Sequence, residues 1–201
     1  AEVGYWKNCL HLDADEAAAC KQELVRSVAL ADELAACCAV TNLGSYVDET
    51  VKHHSARNFT GEAFDAAVQA ARFYIDTVKP TRTYFTFEMY PFSVADSPEA
   101  IRDLVDAVDR DRFGVHMDLV NLVNCPRKFW CNGDLIRQCV RLFGHKITSA
   151  HAKDLALEEP SISVLMHEVI PGTGNLDYAA YIAELHKLPQ DVPLMMEHLH
   201  G

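Results

Sequence analysis

The segment FGVHMD (residues 113–118) is a short apolar run that ends on a carboxylate. Its length and its flanking polar residues are typical of a buried strand. Three further runs share this plan: TYFTFE (83–88), KITSAH (146–151) and VPLMME (192–197). An unpaired charge at the end of a buried strand is costly in free energy, so we expect the four terminal residues to converge on a common partner. These residues are Glu88, Asp118, His151 and Glu197.

Helices are predicted between the strands. Apolar residues recur at helical spacing in segments 15–36 and 62–78, and Ser97-Pro98 is typical of a helix start. Further helices are predicted at 134–143 and 177–185, and further strands at 1–7 and 38–43. This alternation of strand and helix favours a parallel sheet. A parallel sheet binds its ligands at the carboxyl ends of its strands, where the four polar residues are expected.

The spacing of the strand ends indicates a barrel. Asp118 follows Glu88 by 30 residues, and His151 follows Asp118 by 33. About 30 residues per β/α unit is what a (β/α)8 TIM barrel requires. The chain supplies six predicted strands, so we expect one partial TIM-barrel domain over residues 1–201 that lacks the first two strands and the last helix. An open sheet is the alternative.

Composition excludes several classes of protein. The chain has 201 residues, 49% of them apolar, and a formal net charge of −11. An acidic chain without a basic stripe is not expected to bind nucleic acid or an anionic membrane surface. No apolar run approaches transmembrane length. The seven cysteines form no C-x-x-C pair, which indicates reduced thiols and a cytoplasmic location.

Three carboxylates and one imidazole form a ligand set of hard to borderline donors. Such a set suits Mn²⁺, Mg²⁺ or Co²⁺, and it can also hold Zn²⁺. We therefore expect one divalent metal ion as the cofactor, with Mn²⁺ favoured among these four.

Each of the four residues also has a purely structural interpretation. Glu88 could be an ion-paired acid at a strand end, and Asp118 could cap the following turn. His151 could be a hydrogen-bonded core histidine, and Glu197 could be exposed. The metal hypothesis therefore depends on all four strand ends carrying such a residue in matching order.

Several segments together resemble the xylose isomerase-like TIM barrel superfamily, and within it the bacterial sugar phosphate isomerase/epimerases. The resemblance covers nearly the whole chain. The segments that carry it are AEVGYWKN (1–8), ADELAACC (31–38), GVHMDLVN (114–121), AHAKD (150–154) and PGTGNLD (171–177).

The resemblance implies roles for individual residues. The metal ligands of the superfamily fall on the four residues that end the predicted strands. In its ketose 3-epimerases the two glutamates also act as the acid/base pair, which here are Glu88 and Glu197. Many relatives have a substrate-contacting histidine three residues after the aspartate ligand, where this chain has Asn121. We assign substrate binding to Asn121, to His116 and to Lys153, which offers a positive charge near His151.

The expected function is that of a metal-dependent sugar isomerase or epimerase that moves a proton next to a ketose carbonyl through an enediolate. The expected partners are a small sugar-like substrate and further copies of the chain in a homo-oligomer. The alternatives are an inosose-type dehydratase on the same metal site, an endonuclease IV-like phosphodiesterase and a non-catalytic barrel remnant. The sugar, its phosphorylation and the position of proton transfer stay open.

Overall fold

The computed structural model describes residues 1–10, 13–47, 54–158 and 162–197. Six parallel strands form its main sheet, in the order β1-β2-β3-β4-β5-β8. These strands are β1 (Glu2–Gly4), β2 (Cys38–Thr41), β3 (Tyr84–Glu88), β4 (Phe113–Met117), β5 (Ile147–Ala152) and β8 (Leu194–Met196). All six strands predicted from the sequence are thereby confirmed.

Helices connect most of the neighbouring strands, as the alternating pattern predicts. They are α1 (Ala14–Leu34), α2 (Gly61–Val78), α3 (Pro98–Val108), α4 (Pro126–Trp130), α5 (Asn132–Phe143) and α6 (Tyr178–His186). Polar side chains cap the first turns: the Ser97 side chain accepts a hydrogen bond from the backbone N–H of Ala100, and the Asp177 side chain accepts one from Ala180. Within the described residues, no helix combines the length and the apolar character that crossing a membrane needs.

The sheet curls into a half-barrel. β1 and β5 are four positions apart in the strand order, a separation of about 19 Å in a flat sheet. Yet Glu2 Oε1 on β1 lies 3.1 Å from His151 Nε2 on β5. Only a strongly curved sheet brings these side chains together, so the expected partial TIM barrel is confirmed, with six parallel strands in the described residues.

The segment between β5 and β8 contains a hairpin that the sequence did not predict. Strands β6 (Asp154–Leu157) and β7 (Met166–Val169) pair antiparallel and lie outside the main sheet. β6 follows β5 after one residue, and the charged pair Lys153-Asp154 between their apolar parts does not indicate the start of a second strand. β7 carries His167 and Glu168 in its centre, and such a polar composition does not indicate a strand.

Candidate metal centre

The curved sheet brings the four predicted strand-end residues to one place. Glu88 is the last residue of β3, and Asp118 follows the last residue of β4. His151 lies near the end of β5, and Glu197 follows β8. Each of the four side chains offers one ligand atom, and these atoms all lie within 4.8 Å of one another. The convergence matches the sequence-based expectation, and the role of these residues as metal ligands stays a prediction.

His151 Nδ1 faces the three carboxylates. It lies 3.0 Å from Glu197 Oε2, 3.4 Å from Asp118 Oδ2 and 3.7 Å from Glu88 Oε1. The Asp118 side chain is fully buried, whereas that of Glu197 is 32% exposed. One side of the cluster therefore lies deep in the fold, and the other side opens toward solvent.

Lys153 lies among the same carboxylates. Its Nζ is 2.8 Å from Asp118 Oδ2 and 2.9 Å from Glu197 Oε2, and its side chain is only 6% exposed. A third acid on the β6–β7 hairpin, Glu168, is 3.7 Å away. Lys153 was predicted to bind substrate, and it is close enough to the cluster for that role.

Burial and the neighbouring charges shift the pKa values of the residues in the cluster in opposite directions. Burial raises the pKa of Glu88 to about 7. Burial also acts to raise the pKa values of Asp118 and Glu197, but hydrogen bonds to His151 and the charge of Lys153 outweigh it, and both pKa values fall to about 2. In turn, burial acts to lower the pKa values of His151 and Lys153, but the carboxylates raise both well above their usual range.

The other two predicted substrate residues, His116 and Asn121, make hydrogen bonds within the fold. His116 is fully buried, and its Nδ1 lies 2.6 Å from Ser149 Oγ. Burial and the neighbouring His151 lower the pKa of His116 to about 4, so its ring is neutral at neutral pH. Asn121 donates a hydrogen bond from Nδ2 to the Met89 carbonyl oxygen at 3.0 Å and so ties together the segments that follow β3 and β4.

The sequence analysis missed one residue of this region, Glu2. Its carboxylate lies 3.1 Å from His151 Nε2 and 3.3 Å from His116 Nδ1. Burial acts to raise the pKa of Glu2, but the hydrogen bond with His151 and the charge of that ring lower it overall. The sequence did carry one signal for Glu2, because this residue is an acid inside the predicted strand 1–7. A charge in a strand that packs into a barrel needs a partner.

Two tyrosines of α6 hold the strand ends in place. Tyr181 is fully buried, and its hydroxyl lies 2.9 Å from the Met117 carbonyl oxygen and 3.2 Å from that of His151. The Tyr178 hydroxyl donates to the Lys153 carbonyl oxygen at 2.7 Å. These hydrogen bonds fix the backbone at the ends of β4 and β5, next to Asp118 and at His151.

Asp154 organises the glycine-containing loop 171–177 next to the cluster. Its two carboxylate oxygens accept hydrogen bonds at 2.9 Å from four backbone N–H groups, those of Leu155, Gly172, Gly174 and Leu176. A Cβ atom at Gly174 would lie 2.4 Å from Asp154 Oδ1, so only glycine allows this approach.

Replacing Asp154 by Ala is expected to destabilise the protein by about 2 kcal/mol, because buried N–H groups lose their acceptor. Denaturant unfolding measures the loss, and amide hydrogen exchange should localise it to residues 171–177. Asp154→Asn keeps one accepting oxygen and should lose less. Equal losses for the two variants would show that the hydrogen bonds to the loop are not the cause.

The donor set and its burial fit a divalent cation. Asp118 Oδ1 is buried and has no hydrogen-bond partner within the described part of the chain. Leaving a charged oxygen in this state is costly, and a bound cation would remove the cost. With His151 neutral as a ligand, the three carboxylates exceed the single positive charge of Lys153 by two, so a dication would make this group of charges neutral. The residues that would hold it are Glu88, Asp118, His151 and Glu197.

Comparisons with known proteins agree with this fold. The chain matches the family model described as "Xylose isomerase-like TIM barrel" over residues 3–200. No curated protein matches it significantly.

Several solved structures share the fold at low sequence identity. A xylose isomerase-like TIM barrel protein from Mycobacterium smegmatis in complex with magnesium has a TM-score of 0.73 at 16% identity, covering 94% of this chain and 63% of its own. The probable 3-DHS dehydratase of petrobactin synthesis from Bacillus anthracis has a TM-score of 0.73 at 15% identity, covering 100% and 70%. D-psicose 3-epimerase from Clostridium cellulolyticum, solved with D-tagatose, has a TM-score of 0.65 at 15% identity, covering 96% and 62%.

The chain thus spans less than two thirds of the length of two of these relatives. At such identities the structural likeness establishes the fold alone. The family model, in contrast, matches almost the entire chain. Together with the half-barrel, this match shows that the chain belongs to the xylose isomerase-like TIM barrel family.

Proposed function

We propose that this protein is a metal-dependent sugar isomerase or epimerase that moves a proton next to a ketose carbonyl. One observation carries the proposal: three carboxylates and an imidazole from four strand ends converge within 4.8 Å. When bound there, a divalent ion would polarise the carbonyl group and stabilise the negative charge that develops on the enediolate. We keep Mn²⁺ as the favoured ion, with Mg²⁺, Co²⁺ and Zn²⁺ as alternatives.

Glu88 and Glu197 are the proposed acid/base pair. They approach the centre from strands β3 and β8, which are separated in the sheet by β4 and β5. One glutamate takes the proton from the carbon next to the carbonyl, and its bonding electrons move into the enediolate. The other glutamate gives a proton back, either to the opposite face of the same carbon or to the neighbouring carbon. The first outcome is epimerisation and the second is isomerisation.

Lys153 is the residue proposed to orient the carboxylates and contact the substrate. Its Nζ donates to Asp118 and to Glu197, so one cation fixes a buried acid and the acid on the open side together. With a dication present, three carboxylates and Lys153 form a neutral group. An uncharged sugar suits such a site better than a phosphosugar, which would need further cations. We extend the proposal to a cytoplasmic homo-oligomer.

A dehydratase is the second candidate. The probable 3-DHS dehydratase from Bacillus anthracis is at least as similar in fold to this chain as D-psicose 3-epimerase is. Proton removal next to a carbonyl would be shared by the two reactions. In a dehydratase, the electrons of the enediolate would expel a hydroxide at the neighbouring carbon, and the product would be lighter by one water.

The proposal is tested by metal content and by solvent deuterium exchange. After loading with Mn²⁺, we expect about one ion per chain, and we expect Asp118→Ala to weaken binding by about 100-fold or more, since even the loss of a residue behind the ligands costs up to about 100-fold. With the ion bound, ketoses should take up deuterium next to the carbonyl. Mass spectrometry of the products separates epimerisation from loss of water.

Asp134→Ala is the matched control. Asp134 lies on α5, its side chain is 82% exposed and it pairs with Arg137. This variant should bind the ion and exchange deuterium as the wild type does. If the folded wild-type protein takes up no ion after reloading, the proposed function is wrong and a non-catalytic barrel remains.

A further inference from the structure

Glu2 lies between two buried histidines on the inner face of the half-barrel. Its Oε1 is 3.1 Å from His151 Nε2, and its Oε2 is 3.3 Å from His116 Nδ1. The Glu2 side chain is 17% exposed, and that of His116 is fully buried. Glu2 therefore contacts the ring nitrogen of His151 that faces away from the three proposed carboxylate ligands.

The two nitrogens of His151 have different surroundings. Nδ1 faces Glu88, Asp118 and Glu197, as described above, whereas Nε2 faces Glu2. A neutral imidazole binds a metal through the nitrogen without a proton and donates a hydrogen bond from the other. Binding through Nδ1 thus requires the proton on Nε2, and the nearby carboxylate of Glu2 is suited to accept it.

We propose that Glu2 is a positioning residue of the metal centre: it accepts the Nε2–H of His151 and thereby holds the Nδ1 lone pair toward the three carboxylates. The inference rests on the proposed function, because it takes His151 as a metal ligand. Glu2 touches neither the ion nor the substrate, and it acts through the orientation and tautomer of the ring. Metal-binding histidines commonly depend on such a carboxylate.

Buried polar groups lie beside Glu2. His116 Nδ1 lies 2.6 Å from Ser149 Oγ, which in turn lies 3.1 Å from Cys38 Sγ. The rings of His116 and His151 meet edge to face, with centroids 4.1 Å apart. His116, predicted to bind substrate, thus contacts the back of the metal centre.

One other arrangement of these residues has to be distinguished. Glu2, His116 and His151 also offer three ligand atoms within 4.8 Å and could hold a second ion. His151 would then have to bind one ion through each ring nitrogen and give up both of its protons. A single ion needs only one tautomer of a neutral ring, so we favour the positioning role.

Three proteins test the inference: wild type, Glu2→Ala and Glu2→Gln. We expect Glu2→Ala to weaken Co²⁺ or Mn²⁺ binding by about 10- to 100-fold, the usual cost of losing a residue behind a metal ligand. Glu2→Gln keeps an oxygen that can accept the Nε2–H and should recover most of the affinity. In the Co²⁺ protein, proton NMR should show a paramagnetically shifted exchangeable N–H of His151 in the wild type and Glu2→Gln, and rapid solvent exchange should remove it in Glu2→Ala.

The outcomes separate this inference from the proposed function. Unchanged affinity in a folded Glu2→Ala protein overturns the positioning role and leaves the metal centre intact. Equal losses in Glu2→Ala and Glu2→Gln overturn it as well, because charge and not hydrogen-bond acceptance would then matter. Two ions in the wild type and one in Glu2→Ala would establish the second ion instead. If the wild type binds no ion, the proposed function and this inference fail together.

Discussion

In a Glu197→Gln variant, we expect substrate epimerisation to fall by about 10²- to 10⁴-fold, the range for loss of a general acid or base. Deuterium exchange into one of the two epimers should nevertheless persist. Glu88 would still remove and return the proton on its own face of the substrate, because the two glutamates approach from β3 and β8. The measurement compares the rate of epimerisation with the rate of deuterium uptake into each epimer. It is made at saturating metal, because glutamine binds a metal ion more weakly than glutamate does.

Glu88→Gln should give the reciprocal result, with exchange confined to the other epimer. Glu23→Gln is the control for a neutralised glutamate, because Glu23 is an exposed residue of α1 that pairs with Arg26. It should match the wild type in both measurements. Parallel loss of exchange for both epimers in each single variant would argue against two separate proton-transfer groups.

The sequence predicted most of the fold because strand ends and helix starts have local signatures. Most strands of the main sheet lie in apolar runs, and capping residues such as Ser97 and Asp177 mark where helices begin. The convergence of Glu88, Asp118, His151 and Glu197 followed from one rule, that parallel strands end at the same edge of the sheet. The β6–β7 hairpin was missed because β7 has two polar residues in its centre and therefore lacks the pattern that indicates a strand.

The parts of the site that the sequence could not predict depend on the curvature of the sheet. Glu2 belongs to the first strand of the chain, and nothing in its sequence neighbourhood relates it to His151, which is 149 residues away. Similarly, Lys153 was recognised as a cation near His151, but its bridging of Asp118 and Glu197 requires the ends of β4, β5 and β8 to meet. Pairwise contacts across a barrel arise from strand tilt and closure, and a linear pattern does not encode them directly.

Replacing Lys153 by Met is expected to destabilise the metal-free protein much more than the metal-bound protein. Without metal, removing this buried cation takes one ion-pair partner from Asp118 and one from Glu197, and the variant should lose about 3–5 kcal/mol of stability. With saturating Mn²⁺, the ion neutralises the same carboxylates, so most of the loss should be recovered. The measurement is thermal unfolding with chelator and with increasing Mn²⁺.

The physical basis is competition for the same oxygen atoms. Lys153 Nζ and His151 Nδ1 both face Asp118 Oδ2 and Glu197 Oε2, so a cation at the cluster shares its ligands with the ammonium group. Without the ammonium group, the metal-free protein is destabilised more than the bound one, and the rise in unfolding temperature on adding metal becomes larger. Lys187→Met removes only an exposed cation and should show neither effect. Equal destabilisation of Lys153→Met with and without Mn²⁺ would mean that Lys153 and the ion do not share these carboxylates.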